Sequence, residues 1–237
     1  MNKLSALNVL ENTVDKIEKF LELKESVLEN DYVKLFGEGS KVVSLLTKSS
    51  SLIMQKKFES FLAGFNFENK PTEQQLLKLE RYIDNETKAE FIADTFSKIL
   101  LSKSSKTCLV MGTILNSLVE NNEEIKQEHL IAINALINFF DIDLINYIFI
   151  CGYLGTEIPK YLLTKEFKEK AIQNHLDDTD VWLTIEKCVS LQIISRYDLL
   201  DLNIDEKTPS FSMGEVNHHF QINKAGQYLY KYIQRIV

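Results

Sequence analysis

Glycine and proline are scarce in this chain of 237 residues, which holds 8 and 3 of them. Few tight turns are therefore available, and this disfavours a protein built from many short strands relative to one built from helices. Positive charge is outnumbered, because 27 Lys and Arg face 34 Asp and Glu, which gives a formal net charge of -7 and a pI near 5.3. This balance opposes a general electrostatic attraction to nucleic acid or to an anionic membrane.

Long apolar runs are missing as well. No stretch supplies the ~20 apolar residues that are needed to span a bilayer. Residues 1–10 lack the basic start and the continuous apolar run of a secretory signal, so we expect a cytoplasmic protein. The apolar, weakly cationic segment 42–54 suits a membrane surface, a partner protein or a buried helix pair, and the last is the commonest use of such a pattern.

Residues arranged for catalysis or metal binding are also missing. The three cysteines, Cys108, Cys151 and Cys188, lie far apart in apolar helical patterns, which predicts buried reduced thiols. None of the four histidines has metal-ligand spacing, and the adjacent His218 and His219 would point to opposite faces of a strand. No Gly-x-Ser-x-Gly turn is present. We therefore expect no catalytic residue, no metal site and no cofactor, and a protein that is not an enzyme.

Apolar residues recur at spacings of three and four over most of the chain, a pattern typical of helices that bury one face. It predicts an N-terminal helical region at 1–70 and a central antiparallel helical bundle at 71–156. At 157–237 the pattern predicts two helices, a strand, a long polar loop, a strand and a last helix, which make a winged-helix-like unit. The expected fold class is mainly α, an antiparallel helical bundle followed by a small winged-helix-like α+β unit.

Local signals indicate where helices begin and which faces they bury. Thr164 and Asn223 are suited to be N-caps. Glu123 and Glu124 suit the first turn of a helix, where negative charge is favourable. The buried face of that helix is expected at four positions that share one stripe, which are Leu130, Ile133, Ile137 and Phe140. The helix before it is expected to be largely buried, with a stripe at Cys108, Met111, Leu115 and Leu118.

The end of the chain resembles that of many bacterial winged-helix domains. There a helix closes with Leu-Gly-Leu-Ile, and a wing returns into a helix that begins Leu-Thr-x-x-Gly. Here Gln192 stands in place of glycine and Asn223 in place of threonine, and the matching residues are Leu191 to Ile194 with Phe220, Ile222, Asn223, Gly226 and Leu229. The segment 58–147 is loosely similar to uncharacterised bacterial helical proteins of the Abi-alpha type. That resemblance implies a phage-defence, prophage or stress system and transfers no functional residue.

The leading hypothesis is a non-enzymatic protein-interaction module that binds another protein or a second copy of itself. No small-molecule ligand is implied. The candidate contact residues are apolar positions in the amphipathic N-terminal stretch and in the segment that follows it: Leu10, Val14, Leu21, Val42, Val43, Leu45 and Leu46.

Two alternative functions stay open. A winged helix suggests a DNA-binding transcriptional regulator, for which the candidate phosphate contacts are Lys187, Arg196 and Lys224. The mainly acidic sequence of the candidate recognition helix opposes this reading, because phosphate contacts dominate affinity for DNA. The second alternative is a membrane-associating effector that uses segment 42–54.

Overall fold

The structure is a computed structural model, and it describes residues 52–65, 81–155, 158–162, 164–204 and 211–236. Over these residues the chain is mainly helical, with a small antiparallel sheet near the C-terminus. The predicted α-rich fold with a small α+β unit is therefore confirmed. The chain divides into two compact units, of which unit 1 ends at Asp141 and unit 2 runs from Ile142 to Arg235.

The described helices of unit 1 are α1 (Leu52–Gly64), α2 (Glu86–Leu101), α3 (Ser105–Glu120) and α4 (Gln127–Asn138). Helix α3 is buried along most of its length, and its predicted stripe is confirmed at Cys108, Met111, Leu115 and Leu118. Its first turn is capped by Ser104, whose side chain accepts hydrogen bonds from the N–H groups of Lys106 and Thr107. Its middle contacts α1 backbone to backbone, at Gly112 of α3 and Gly64 of α1.

Helix α4 begins later than its acidic residues predict. It starts at Gln127, so Glu123 and Glu124 precede it and do not form its first turn. The N–H of Lys126 donates to Nδ1 of His129 at 3.2 Å. In a capping box this backbone N–H is accepted by a glutamate or glutamine side chain at the third position of the helix. Here the imidazole of His129 accepts it instead.

The predicted buried face of α4 was wrong by about one residue in phase. Leu130 and Phe140 are exposed, and of the predicted stripe only Ile133 is fully buried. The helix instead buries a face that includes two small residues, at Ala132, Ile133, Ala135 and Leu136. Alanines make a helix face look less hydrophobic in the sequence, although they let neighbouring elements approach closely. The prediction followed the larger apolar side chains and therefore placed the buried stripe on the wrong residues.

Protonation of His129 should weaken the cap of α4. Burial lowers the pKa of His129 below its usual 6.5, against the opposite effect of Glu128 and Glu123. As the pH falls below about 6.5, the unfolded chain binds a proton that the folded chain excludes, so this residue makes stability decrease with decreasing pH. We expect His129→Gln, which keeps an acceptor, to flatten the fall in thermal midpoint between about pH 7 and pH 5. An unchanged slope in the variant would contradict this role.

The described elements of unit 2 begin with α5 (Asp141–Leu154), β1 (Lys160–Tyr161), α6 (Lys165–Gln173) and α7 (Asp178–Ser190). A hairpin of β2 (Ile194–Ile204) and β3 (Phe211–Ile222) follows, and α8 (Lys224–Ile233) comes last. The strands form an antiparallel sheet in the order β1-β3-β2. Thr164 and Asn223 cap α6 and α8 as predicted, since their side chains accept the N–H groups of Phe167 and Gly226.

The sheet extends further than the sequence predicts. Strand β1 was not predicted, because two residues are too few to show alternation. The polar stretch 198–217 was predicted as a long loop, yet most of it pairs in the β2–β3 hairpin, with Asp198 opposite His218 and Leu200 opposite Val216. Asp and Asn are poor strand formers, but pairing with the opposite strand outweighs this preference.

The observed division into units differs from the predicted boundary at 156. Helix α5 was predicted as the last helix of the bundle, but apart from its first residue it belongs to unit 2. There the Tyr147 hydroxyl donates to the carbonyl of Gly226 at 2.8 Å. Because α5 is apolar around most of its circumference, its sequence does not indicate the elements on which it packs. The predicted boundary at 70 lies outside the described residues.

Within the described ranges, three helices end at a residue other than glycine in the left-handed region. These are Asn122, His175 and Gln192, with φ of 48°, 57° and 60°. After α7 the N–H of Ile193 donates to the carbonyl of Cys188 at 3.0 Å, and the N–H of Gln192 donates to the carbonyl of Val189 at 3.1 Å. These two hydrogen bonds are the pair that defines a Schellman motif. The chain thus ends these helices without its few glycines.

Gln192→Gly should stabilise the protein. The left-handed conformation costs a residue with a Cβ about 1–2 kcal/mol, whereas glycine adopts it freely at some cost in chain entropy. We expect a net gain of about 0.5–1 kcal/mol in the free energy of unfolding, measured by denaturant titration. Gln192→Ala serves as the control, and should give no gain. A loss of stability in the glycine variant would show that the side chain of Gln192 matters more than its backbone.

Candidate interaction surface

Helix α7 is firmly held in unit 2 by its inner side. That side is buried at Val181, Thr184, Ile185 and Cys188. Trp182, the single tryptophan of the chain, contacts the rings of Phe167 and Phe220 edge-on. The helix is capped at its start by Asp177, whose carboxylate accepts the N–H of Asp180 at 3.1 Å. The residues on its outer side are therefore presented on a well-anchored helix.

The outer side of α7 combines an apolar side chain with acidic ones. We define the α7 face as Thr179, Asp180, Leu183, Glu186 and Ser190, all of which are exposed. Leu183 is 61% exposed. Residues three apart on a helix are neighbours, so Leu183 lies between the carboxylates of Asp180 and Glu186.

A polar cluster lies beneath α7, where it packs on α5. The Asp143 carboxylate, only 5% exposed, accepts from Lys187 Nζ at 2.5 Å through one oxygen. Its other oxygen accepts from the Thr184 hydroxyl at 3.0 Å, and that hydroxyl in turn accepts from the Asn146 amide at 3.0 Å. The amino group of Lys187 is therefore directed inward at a buried carboxylate.

The cations suggested as phosphate contacts are mostly paired within unit 2. Lys187 binds Asp143, and Arg196 Nη1 lies 3.4 Å from the carboxylate of Glu186. Lys224 is exposed at the first position of α8. Lys187 is therefore directed away from a phosphate, whereas Arg196 forms only an exposed pair of the kind that is weak in water.

The residues predicted as partner contacts lie outside the described residues; they are Leu10, Val14, Leu21, Val42, Val43, Leu45 and Leu46. Of segment 42–54, only its last three residues are described, as the start of α1, where Ile53 is exposed. Within the described ranges, every helix is too short or too polar to cross a bilayer.

The histidines of β3 lie on opposite faces of the strand, as predicted. His218 Nδ1 is 2.7 Å from the Asp198 carboxylate, whereas the ring of His219 lies beside that of Tyr161. In the described part of the chain, no group of three or more histidine, cysteine or acidic side chains is arranged to hold a metal ion.

The three cysteines are free and buried, as predicted. Burial raises the pKa of Cys151 to about 12 and also raises the pKa of Cys108 and of Cys188. Because the thiolate is the reactive form, we expect the folded protein to react very slowly with a disulfide reagent such as DTNB at neutral pH. Three thiols should become reactive in denaturant. Rapid reaction of any thiol in the folded protein would contradict the burial.

Leu183 was not singled out from the sequence, although a signal for it is present. Once Val181, Ile185 and Cys188 are taken as the buried stripe of α7, Leu183 falls on the opposite side of the helix, with an acidic residue three positions away in each direction. An exposed leucine alone is unremarkable in a protein surface. Its position between two carboxylates on an anchored helix is what distinguishes it.

The fold and this surface define a broad class, a mainly helical protein with a small C-terminal α+β unit. No protein-family model, no curated protein and no solved structure matches the chain.

Proposed function

We propose that this chain is a non-enzymatic protein-interaction module and that unit 2 is a winged-helix unit. The support for the second part is connectivity: helix, strand, two helices, strand, strand and helix, with β3 between β1 and β2 in the sheet. In such a unit α7 takes the position of the recognition helix, and the β2–β3 hairpin takes that of the wing.

The observation that carries the proposal is the charge of α7. A recognition helix that enters a DNA groove needs cations facing phosphate, since neutralisation of phosphates supplies most of the nonspecific affinity. Here the exposed side presents Asp180 and Glu186, while Lys187 turns inward to Asp143 and Arg196 is paired with Glu186. A protein partner is compatible with these charges, and DNA is repelled by them.

A DNA-binding regulator is the second candidate, and only the connectivity of unit 2 favours it. The test is fluorescence anisotropy of the full chain with a labelled duplex of mixed sequence, about two to three helical turns long, at low salt. We expect no rise in anisotropy. Binding that weakens as salt is added, and that is reduced by Arg196→Gln and Lys224→Gln, would replace the interaction proposal with the regulator.

Self-association is a separate part of the proposal, and it is supported by the apolar periodicity of the N-terminal sequence. Light scattering of the purified chain should give the mass of a dimer or a larger assembly. Leu10→Asp or Leu21→Asp should reduce that mass. A monomer at all concentrations would remove self-association and leave a different protein as the partner.

The remaining parts of the proposal rest on the sequence. A cytoplasmic location agrees with three free thiols. The phage-defence, prophage or stress context rests on the resemblance to Abi-alpha type proteins alone.

A membrane-associating role through segment 42–54 is tested by sedimentation with anionic liposomes, and absence of the protein from the liposome pellet would remove it.

A further inference from the structure

We propose that the α7 face docks a basic segment of a partner protein, in which an apolar side chain is flanked by lysines or arginines. The inference rests on the proposed function, because it assigns a partner chemistry to the same winged-helix unit. The site is centred on Leu183, and its occupant is a cationic segment.

The exposure of Leu183 belongs to an ordered helix and not to a frayed end. Leu183 is the sixth of the 13 residues of α7, between buried Val181 and buried Thr184 and Ile185. The helix is held from below by the Asp143 cluster and from the side by Trp182. A leucine 61% exposed on such a support loses little freedom when a partner covers it, so its burial would favour binding.

Charge complementarity selects a basic occupant. The α7 face carries Asp180 and Glu186, and Asp178 lies in the same first turn. Lys168 and Arg196 approach Asp178 and Glu186 from neighbouring elements, at 3.6 and 3.4 Å, in pairs that remain about half exposed. Such pairs are weak in water, so a cationic partner can share these carboxylates at little cost.

A second copy of this face is a poor occupant. Its own carboxylates would oppose those of the first copy, and each chain carries a net charge of -7. Like charges placed opposite one another suppress association. An amphipathic helix with lysines or arginines around one apolar residue can bury Leu183 against that residue and pair its cations with Asp180 and Glu186.

Unit 2 offers a matched control surface on α6. Ile172 is 67% exposed there, slightly more than Leu183. Its neighbours one turn earlier, Lys168 and Glu169, have opposite charges, so this surface has no preference for a cationic partner. Apolar exposure is therefore similar at the two places, whereas the surrounding charge is balanced at Ile172 and negative at Leu183.

The probe is a synthetic helical peptide of leucine and lysine with one apolar face, and a leucine and glutamine peptide of the same pattern is its control. Trp182, the single tryptophan, lies in α7 and reports binding through its emission. We expect the lysine peptide to bind the full chain, and the glutamine peptide to bind at least about tenfold more weakly. Leu183→Gln and the double variant Asp180→Asn with Glu186→Gln should each weaken the lysine peptide about tenfold.

The control variants are on α6 and should change the affinity for the lysine peptide by less than about twofold. They are Ile172→Gln and the double variant Glu166→Gln with Glu169→Gln. All substitutions are at exposed positions, and thermal unfolding followed by circular dichroism checks that each variant is folded. Equal losses in the α6 and α7 variants would mean general attraction to an acidic protein and would overturn the site, as would no binding of the lysine peptide. DNA binding in the anisotropy test would overturn the proposed function itself, so the two failures are distinguishable.

Discussion

Gly112→Ala should cost the protein about 3 kcal/mol or more of stability, and we expect unit 1 to unfold well below the temperature of the wild type. A Cβ built on Gly112 would lie 2.1 Å from the carbonyl oxygen of Phe61 and 2.9 Å from the amide nitrogen of Phe65. Both are backbone atoms of the α1 segment, so no side-chain rotation relieves the overlap. The two helices would have to separate, and the buried contacts around the crossing would loosen.

Gly64 of α1 meets the same constraint from the other helix. Its Cβ would lie 2.1 Å from the carbonyl oxygen of Leu109 and 2.9 Å from the amide nitrogen of Thr113. Gly64→Ala should therefore be similarly destabilising. The double variant with Gly112→Ala should cost less than the sum of the two, because helices already separated by one methyl group leave room for the second.

Gly152→Ala is the matched control for these variants. Gly152 is an exposed glycine in α5, and the nearest atom to its Cβ would be the Tyr230 hydroxyl at 4.0 Å. With no overlap, alanine should stabilise the helix by about 0.5–1 kcal/mol through its better helix propensity. Calorimetry of the three single variants checks the difference. If Gly112→Ala and Gly152→Ala have similar midpoints, the close approach of α1 and α3 is incorrect.

Lys187→Met should destabilise unit 2 by about 2 kcal/mol, because it leaves the Asp143 carboxylate buried without its cation. Removing one partner of a fully buried ion pair lowers the free energy of unfolding by more than this. The loss is smaller here because the Lys187 side chain is 27% exposed, so water can partly replace its amino group beside Asp143. Urea unfolding measures the loss. Adding Asp143→Asn to Lys187→Met should restore part of the stability, since the uncompensated charge is then gone.

Lys168→Met provides the surface comparison. Lys168 pairs with Asp178 at 3.6 Å, and the two side chains are 52% and 43% exposed. Loss of such a pair should cost less than about 0.5 kcal/mol. If Lys187→Met costs no more than Lys168→Met, Lys187 is available for other roles, and the case against phosphate binding by α7 weakens.

Much of the secondary structure could be predicted from local signals. The stripe of α3 and the caps Thr164 and Asn223 depend on residues close together in sequence, and the structure confirms them. The left-handed conformation of Gln192 is a local feature too, since it ends α7 through backbone hydrogen bonds to Cys188 and Val189.

The errors arise where distant residues decide the structure. The pairing of Asp143 with Lys187 joins positions 44 residues apart, and no local pattern indicates it. Strand β1 exists because Lys160 and Tyr161 pair with β3, far along the chain. Helix α5 is apolar on nearly every side, so its assignment to unit 2 follows from packing and not from periodicity.

The candidate site divides in the same way. The acidic character of α7 was visible in the sequence and is present on the exposed side of the helix. The inward direction of Lys187 and the pairing of Arg196 with Glu186 required the three-dimensional arrangement. The sequence therefore predicted that DNA is an unfavourable partner, and it did not predict that Leu183 is the centre of the exposed face.

Site-specific photocrosslinking distinguishes binding of α7 to a protein from binding of α7 to DNA. A p-benzoylphenylalanine is placed at Leu183, or at Ile172 as the control, in the cells that naturally produce the chain. Irradiation should give a discrete protein adduct at position 183 that is absent at position 172 and is lost when Asp180→Asn and Glu186→Gln are added. Adducts with DNA at position 183, or the same protein adducts at both positions, would contradict the account.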